Sequence, residues 1–176
     1  MQREIADVIV ECVQGDITRQ ADIDVIVNAA NKQLQGGGGV DGAIHRAAGP
    51  KLVEASRALA PIEAGEAVIT PAFDLANQWV VHCVGPVYSQ NPAVPRQLAA
   101  CYRQAMRLAE GKAAASVAFP AISAGIYGYP LAEAATIAVE SVGEAAREAV
   151  SVRQVRFVLF SEDAFDAFAE ALSTLT

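Results

Sequence analysis

The sequence contains no run of 18 apolar, uncharged residues, so no part of it is expected to span a bilayer as a helix. Its start, Met1-Gln2-Arg3-Glu4, lacks the basic-then-apolar order of a signal peptide, and export is not expected. Cysteine is scarce. Cys12, Cys83 and Cys101 lie far apart and form no CxxC pair, for which a reducing cytoplasm is the economical setting. Basic charge is short as well: thirteen Lys and Arg against twenty Asp and Glu give a net charge of −7. With no basic stretch interleaved with aromatics, this balance argues against nucleic acid as the main ligand. No Pro/Ser-rich linker, composition shift or internal repeat divides the chain, so residues 1–176 are expected to form one domain.

What is present is a chain that is 53% hydrophobic and 19% charged, too apolar for disorder. Short β-branched runs alternate with longer alanine-rich ones, the pattern of an α/β domain. Strands are predicted at Ile5–Val13, Val25–Asn28, Ala67–Pro71, Trp79–Val84, Ser116–Pro120 and Val155–Phe160. Several are apolar throughout, as strands covered on both faces should be. Helices are predicted at Val40–Ala48, Lys51–Leu59, Pro95–Glu110, Leu131–Ala149 and Asp163–Leu172. One sheet with helices on both faces is the expected result.

The thirteen glycines are unevenly placed. Gly36, Gly37, Gly38, Gly39 and Gly42 fall in one segment, and Gly125 and Gly128 in another. Each segment follows a predicted strand and precedes a predicted helix, where open α/β sheets bind ligands. Glycine lets backbone approach a ligand closely, and a helix N-terminus offers free N–H groups and a positive dipole end to phosphate. Neither segment matches GxGxxG or a nucleotide-triphosphate loop, so flexible turns remain the alternative on spacing alone. The neighbouring polar residues favour a site. Asn28 and Asn31 end an apolar strand, and Asp41 and His45, four apart, share one helix face. Two amides, a carboxylate and an imidazole beside a phosphate cradle suit a sugar phosphate and an activated water. His82, next to Cys83 in an apolar run, reads as buried structure rather than as a ligand pair.

Longer blocks resemble a known family. They are Gly15-Asp16-Ile17-Thr18, Val27-Asn28-Ala29-Ala30-Asn31, the run from Gly36 to Gly49, Gly65-Glu66-Ala67, His82-Cys83-Val84-Gly85-Pro86, and Ala118 to Pro130. In order and over nearly the whole chain, they are similar to the macrodomain, most of all its MacroD-type branch of ADP-ribose-binding hydrolases. The resemblance implies a three-layer α/β/α sandwich with a mixed central sheet, and a single macrodomain over residues 1–176. It implies that Asp16 accepts the adenine amino group beside the Ile17 backbone, with Phe160 against the ring. Gly38, Gly39 and Val40 would wrap one side of the diphosphate. Ser123, Ala124, Gly125, Ile126 and Tyr127 would wrap the other, with Tyr127 near the distal ribose. Asn31 would bond that ribose, and Asn28 would help fix the loop.

For the chemistry, the resemblance implies Asp41, supported by Asn31 and His45, acting on a water near C1″ of the distal ribose. Asp41 would serve either as base or as positioner of the ribose, with the diphosphate helping to place the water. The implied activity is hydrolysis of the ester joining ADP-ribose to an acidic side chain, or of the acetyl ester of O-acetyl-ADP-ribose. No metal or cofactor is required. The partners would be ADP-ribose, ADP-ribosylated protein or O-acetyl-ADP-ribose, with no membrane and a monomer favoured. A non-catalytic ADP-ribose reader is the alternative, and Asn31, Asp41 and His45 favour the enzyme over it. Two positions depart from the family pattern: Ala124 stands where threonine is frequent, and Pro71 where glycine is common. Neither touches the implied chemistry. Asp41 excludes the branch that attacks with a lysine, and the paired glutamates of poly(ADP-ribose) glycohydrolases are absent.

Overall fold

β-Branched runs become strands and alanine-rich amphipathic runs become helices along the whole chain, which the computed structural model describes from Met1 to Thr176. The strands are β1 (Gln2–Ile5), β2 (Val8–Gln14), β3 (Val25–Ala29), β4 (Ala67–Pro71), β5 (Trp79–Cys83), β6 (Ser116–Phe119) and β7 (Gln154–Leu159). The helices are α1 (Gly39–Ala48), α2 (Lys51–Arg57), α3 (Ala93–Gly111), α4 (Leu131–Glu148) and α5 (Glu162–Thr174), with one 3-10 turn at Ile17–Arg19. No helix is long and apolar enough to cross a membrane.

One expectation fails at the start. The predicted strand Ile5–Val13 is a hairpin, in which β1 and β2 pair antiparallel with Ile5 opposite Val8. Ala6 and Asp7 form the turn, both at positive φ (48° and 49°). Two left-handed residues in a row match the twist of a two-residue hairpin, but alanine there gives no signal in the sequence. The other boundaries move by one or two residues, and the 3-10 turn is an element that the pattern did not predict.

All seven strands form one mixed sheet in the order β1-β2-β7-β6-β3-β5-β4. The five inner strands run parallel, and β1 and β4 pair antiparallel at the two edges. α3, α4 and α5 cover one face over Val27, Val81, Phe119 and Phe157. α1, α2 and the 3-10 turn cover the other over Ile26, Val80, Ala118 and Val158. The result is the three-layer α/β/α sandwich implied by the family blocks.

The strand order decides where ligand chemistry can sit. Because the inner strands are parallel, their carboxyl ends line one edge, and the loops leaving β2, β7, β6, β3 and β5 stand in a row. Asp16 follows β2, Phe160 follows β7, the Ala121–Pro130 loop follows β6, and the glycine loop follows β3. Arg156 holds the first of these loops. Its guanidinium bonds Glu11 at 2.8 Å, Asp22 at 2.8 and 2.9 Å and Gln20 at 2.8 Å, and Gln20 in turn donates to the Asp16 carbonyl at 2.9 Å.

Candidate functional site

Between the glycine loop and the Ala121–Pro130 loop lies a cleft of about 530 Å³. Its walls include Asn31, Gly37, Gly38, Gly39, Val40 and Asp41 on one side and Ser123, Gly125, Ile126 and Tyr127 on the other. These two segments were singled out for their glycines, and β6 and β3 bring them together as adjacent strands.

The first wall is the start of α1. Gly38 is its N-cap and has no side chain to bond the first turn, whereas Ser161 caps α5 by accepting from the Ala164 N–H at 3.1 Å. The first N–H groups of α1 are therefore left to the cleft, at the positive end of the helix dipole. The loop before the helix folds on itself. The Asn31 amide donates to the Gly36 carbonyl at 2.9 Å, and Gly36 sits at φ +82° over the His45 ring. Gly42 packs against this loop so closely that a Cβ there would lie 2.5 Å from the Gly37 carbonyl oxygen. Gly42→Ala should consequently lower stability by about 1–3 kcal/mol, as overpacked positions do. Thermal unfolding is the measurement, and an unchanged midpoint would mean that the loop yields freely.

The second wall is tied down from behind. Ser123, at φ +66°, donates its hydroxyl to the Pro86 carbonyl at 2.7 Å, and the Tyr88 N–H donates to the Tyr127 carbonyl at 2.9 Å. Gly85 leaves room for this junction, since a Cβ there would collide with the Ser123 hydroxyl. Gly125 differs: a Cβ there would meet nothing within 4 Å. Its missing side chain leaves open space in the cleft rather than permitting close packing.

Asp41 sits at the junction of helix and sheet and is only 6% exposed. Its Oδ1 accepts from the Asn28 amide at 2.8 Å and lies 3.3 Å from His45 Nε2. The His45 approach is within ion-pair range but lacks hydrogen-bond geometry, and both ring nitrogens of His45 are without a partner in the protein. Asp41 Oδ2 turns the other way, toward Gly37, whose added Cβ would lie 3.3 Å from it. One carboxylate oxygen is thus anchored and the other faces the cleft.

Several predicted residues stand outside the cleft wall. Asn28 is fully buried behind Asp41, and its amide bonds the α1 carboxylate. His45 and Ala124, both half-buried, also do not line the cleft. Asp16 and Phe160 extend the row beyond the cleft. The Asp16 carboxylate accepts from the Thr18 N–H at 2.9 Å and the Thr18 hydroxyl at 2.7 Å, which hold its pKa below the usual carboxylate range. Ile17 is buried beside it. Phe160 is 87% exposed, so it is not the ordinary core phenylalanine that its apolar strand allowed. Gly37 and Gly85 also line the cleft: the first belongs to the glycine segment and the second to the His82–Pro86 block, and the sequence assigned neither an individual role. His82 is buried as expected, and Cys83 cannot pair with it because alternate residues of β5 face opposite sides.

Comparison with known proteins gives the family. Residues 27–138 match the Macro domain family. A macro domain-containing protein of Streptomyces coelicolor is 51% identical over 166 residues, covering 91% of this chain and 96% of that one. An O-acetyl-ADP-ribose deacetylase of Cronobacter sakazakii is 52% identical over 161 residues, covering 89% of each. Among solved structures, an Oceanobacillus iheyensis macrodomain with ADP superposes with a TM-score of 0.93 at 42% identity, covering 98% of this chain and 94% of that one. By sequence, by fold and by the glycine-walled cleft at the sheet's carboxyl edge, the chain belongs to the macro domain family.

Proposed function

We propose that the protein is an ADP-ribose-binding hydrolase that cleaves an ester at the distal ribose. The substrates are mono-ADP-ribose on acidic protein side chains and O-acetyl-ADP-ribose. The observation that carries this reading is Asp41: pinned through Oδ1 by Asn28, it turns Oδ2 to a cleft walled by two backbone-rich loops. The loops suit a diphosphate, because each N–H to a charged oxygen is worth about 1.5–3 kcal/mol without any lysine. The resemblance to a deacetylase and to a macrodomain solved with ADP points the same way.

In this reading the ligand lies along the row of strand ends. Asp16 takes the adenine amino group on Oδ2, which accepts no hydrogen bond within the protein and lies 3.8 Å from Arg19 Nε, next to Ile17, and the exposed Phe160 ring covers the base. N–H groups of Gly38, Gly39 and Val40, and of Ser123 through Tyr127, hold the diphosphate. Asn31 and Tyr127 flank the distal ribose. Asp41, with His45 beside it, orients a water onto the ester. Adding that water releases the acid and leaves the ribose hydroxyl, so no electron acceptor or metal enters the balance. Residues 1–176 act as a single macrodomain in this reading, with a monomer favoured. The three free, buried cysteines suit a reducing cytoplasm.

The test is a turnover assay on acid-linked ADP-ribosyl protein and on O-acetyl-ADP-ribose side by side. Release from either ester is the expected result. Tight ADP-ribose binding with release from neither would make the protein a reader instead. Phe160→Ala should weaken ADP-ribose binding by about 1–3 kcal/mol, the size of an aromatic–base stack. Calorimetry reads it, and an unchanged affinity would move the adenine elsewhere.

A further inference from the structure

On the sheet face beneath α1, three polar side chains lie side by side among apolar neighbours. Asn28 on β3 and His82 on β5 are register partners. Thr70 on β4 stands diagonally across from His82, which is paired with Val68. Asn28 and His82 are 0% exposed and Thr70 is 3%, while Ile26, Val80 and Ala118 fill the same face. Burying such groups costs about 1–3 kcal/mol for each one left unbonded, and here Asn28 Oδ1 alone among the three side chains' polar atoms has no partner in the protein.

The bonds run in one direction. The Asn28 amide nitrogen is 2.8 Å from Asp41 Oδ1 and 3.3 Å from His82 Nδ1. An amide nitrogen only donates, so His82 Nδ1 must present its lone pair. The ring proton of the neutral imidazole is then on Nε2, 3.0 Å from the Thr70 hydroxyl, whose own proton goes to the Pro71 carbonyl at 3.1 Å. Burial, with His45 nearby, pushes the His82 pKa down to about 4 against the opposing pull of Asp41, so the ring stays neutral near pH 7. A reversed Asn28 amide would set its oxygen against the Asp41 carboxylate oxygen, and a His82 ring protonated on Nε2 accepts only the nitrogen end of the amide.

Resting on the hydrolase reading above, we propose that His82, backed by Thr70, is a positioning residue for Asp41. It fixes the orientation of the Asn28 amide, which in turn holds Asp41 Oδ1 and leaves Oδ2 facing the cleft. His82 touches no substrate and acts only through Asn28.

Two substitutions separate this role from volume filling. The side-chain oxygen of His82→Asn falls near the place of Nδ1 and keeps an acceptor for Asn28. His82→Gln is closer to histidine in size, but it puts a carbon there and its polar atoms near Nε2. Expected is a kcat for His82→Asn within about threefold of wild type. For His82→Gln a loss of about tenfold or more is expected, as misplaced reacting groups show. ADP-ribose affinity, read by calorimetry, should change by less than about threefold in both. Equal kcat in the two variants, or the reverse order, overturns the proposal. A second readout needs no variant: nitrogen NMR of the wild-type ring at neutral pH should show His82 protonated on Nε2, and a proton on Nδ1 overturns the proposal. A wild type inert on both esters removes the hydrolase reading itself, before any variant is made, and the positioning role with it.

Discussion

Asp41→Ala should lower kcat on both esters by about 10²-fold or more, the range lost with a positioned acid–base group. ADP-ribose affinity should fall by less than about tenfold, because the diphosphate N–H groups on both walls remain. The carboxylate also has a structural share. Removing it leaves the buried Asn28 amide without its 2.8 Å acceptor, which should cost about 1–3 kcal/mol of stability. Turnover must therefore be compared at a temperature where the variant is folded, as judged by its unfolding curve. Asp41→Asn separates two roles that the alanine variant merges. Asparagine keeps the shape and a hydrogen-bonding oxygen but cannot take a proton. Activity near wild type in Asp41→Asn would make the residue a positioner of ribose and water. A loss as deep as alanine's would make it the base. Unchanged kcat in both would take Asp41 out of the chemistry.

Gly125→Glu should abolish ADP-ribose binding while leaving the fold intact. Nothing stands within 4 Å of an added Cβ at this position, and its backbone is not in the left-handed region, so folding has no quarrel with a side chain. The new carboxylate would point into the space that the diphosphate needs. Two unit charges about 4 Å apart at an effective dielectric near 20 repel by about 4 kcal/mol, close to a thousandfold in affinity. Steric displacement adds to that. Calorimetry and an unfolding curve on the same sample are the two measurements. Retained micromolar affinity would remove the Ala121–Pro130 loop from the site. Binding loss together with a lowered midpoint would mean that the loop carries stability which the open space around Gly125 does not suggest.

The two glycine loops were legible in the sequence for a physical reason. Close backbone approach and open helix starts leave few residue types available, so the glycines cluster visibly. Asp41 and His45 were legible because helical spacing alone puts residues four apart on one face. The hairpin at Ala6-Asp7 was not legible, since an alanine at φ 48° carries no compositional mark. The exposure of Phe160 was not legible either. An apolar strand predicts a buried side chain at its end as readily as an exposed one, and only its place one residue past the carboxyl end of β7 leaves it 87% exposed.

The sequence by itself determined the alternation of strands and helices, the family, and the residue types that a diphosphate and an ester would need, because these follow from local periodicity and composition. The tertiary structure decided which of those residues meet. Sheet order set β6 beside β3 and so closed the two loops on one cleft. It also set Asn28 beside His82, 54 positions away, and beneath Asp41. Contacts of that separation depend on which strands become neighbours, and strand order is settled by the packing of the whole core rather than by any segment's own pattern.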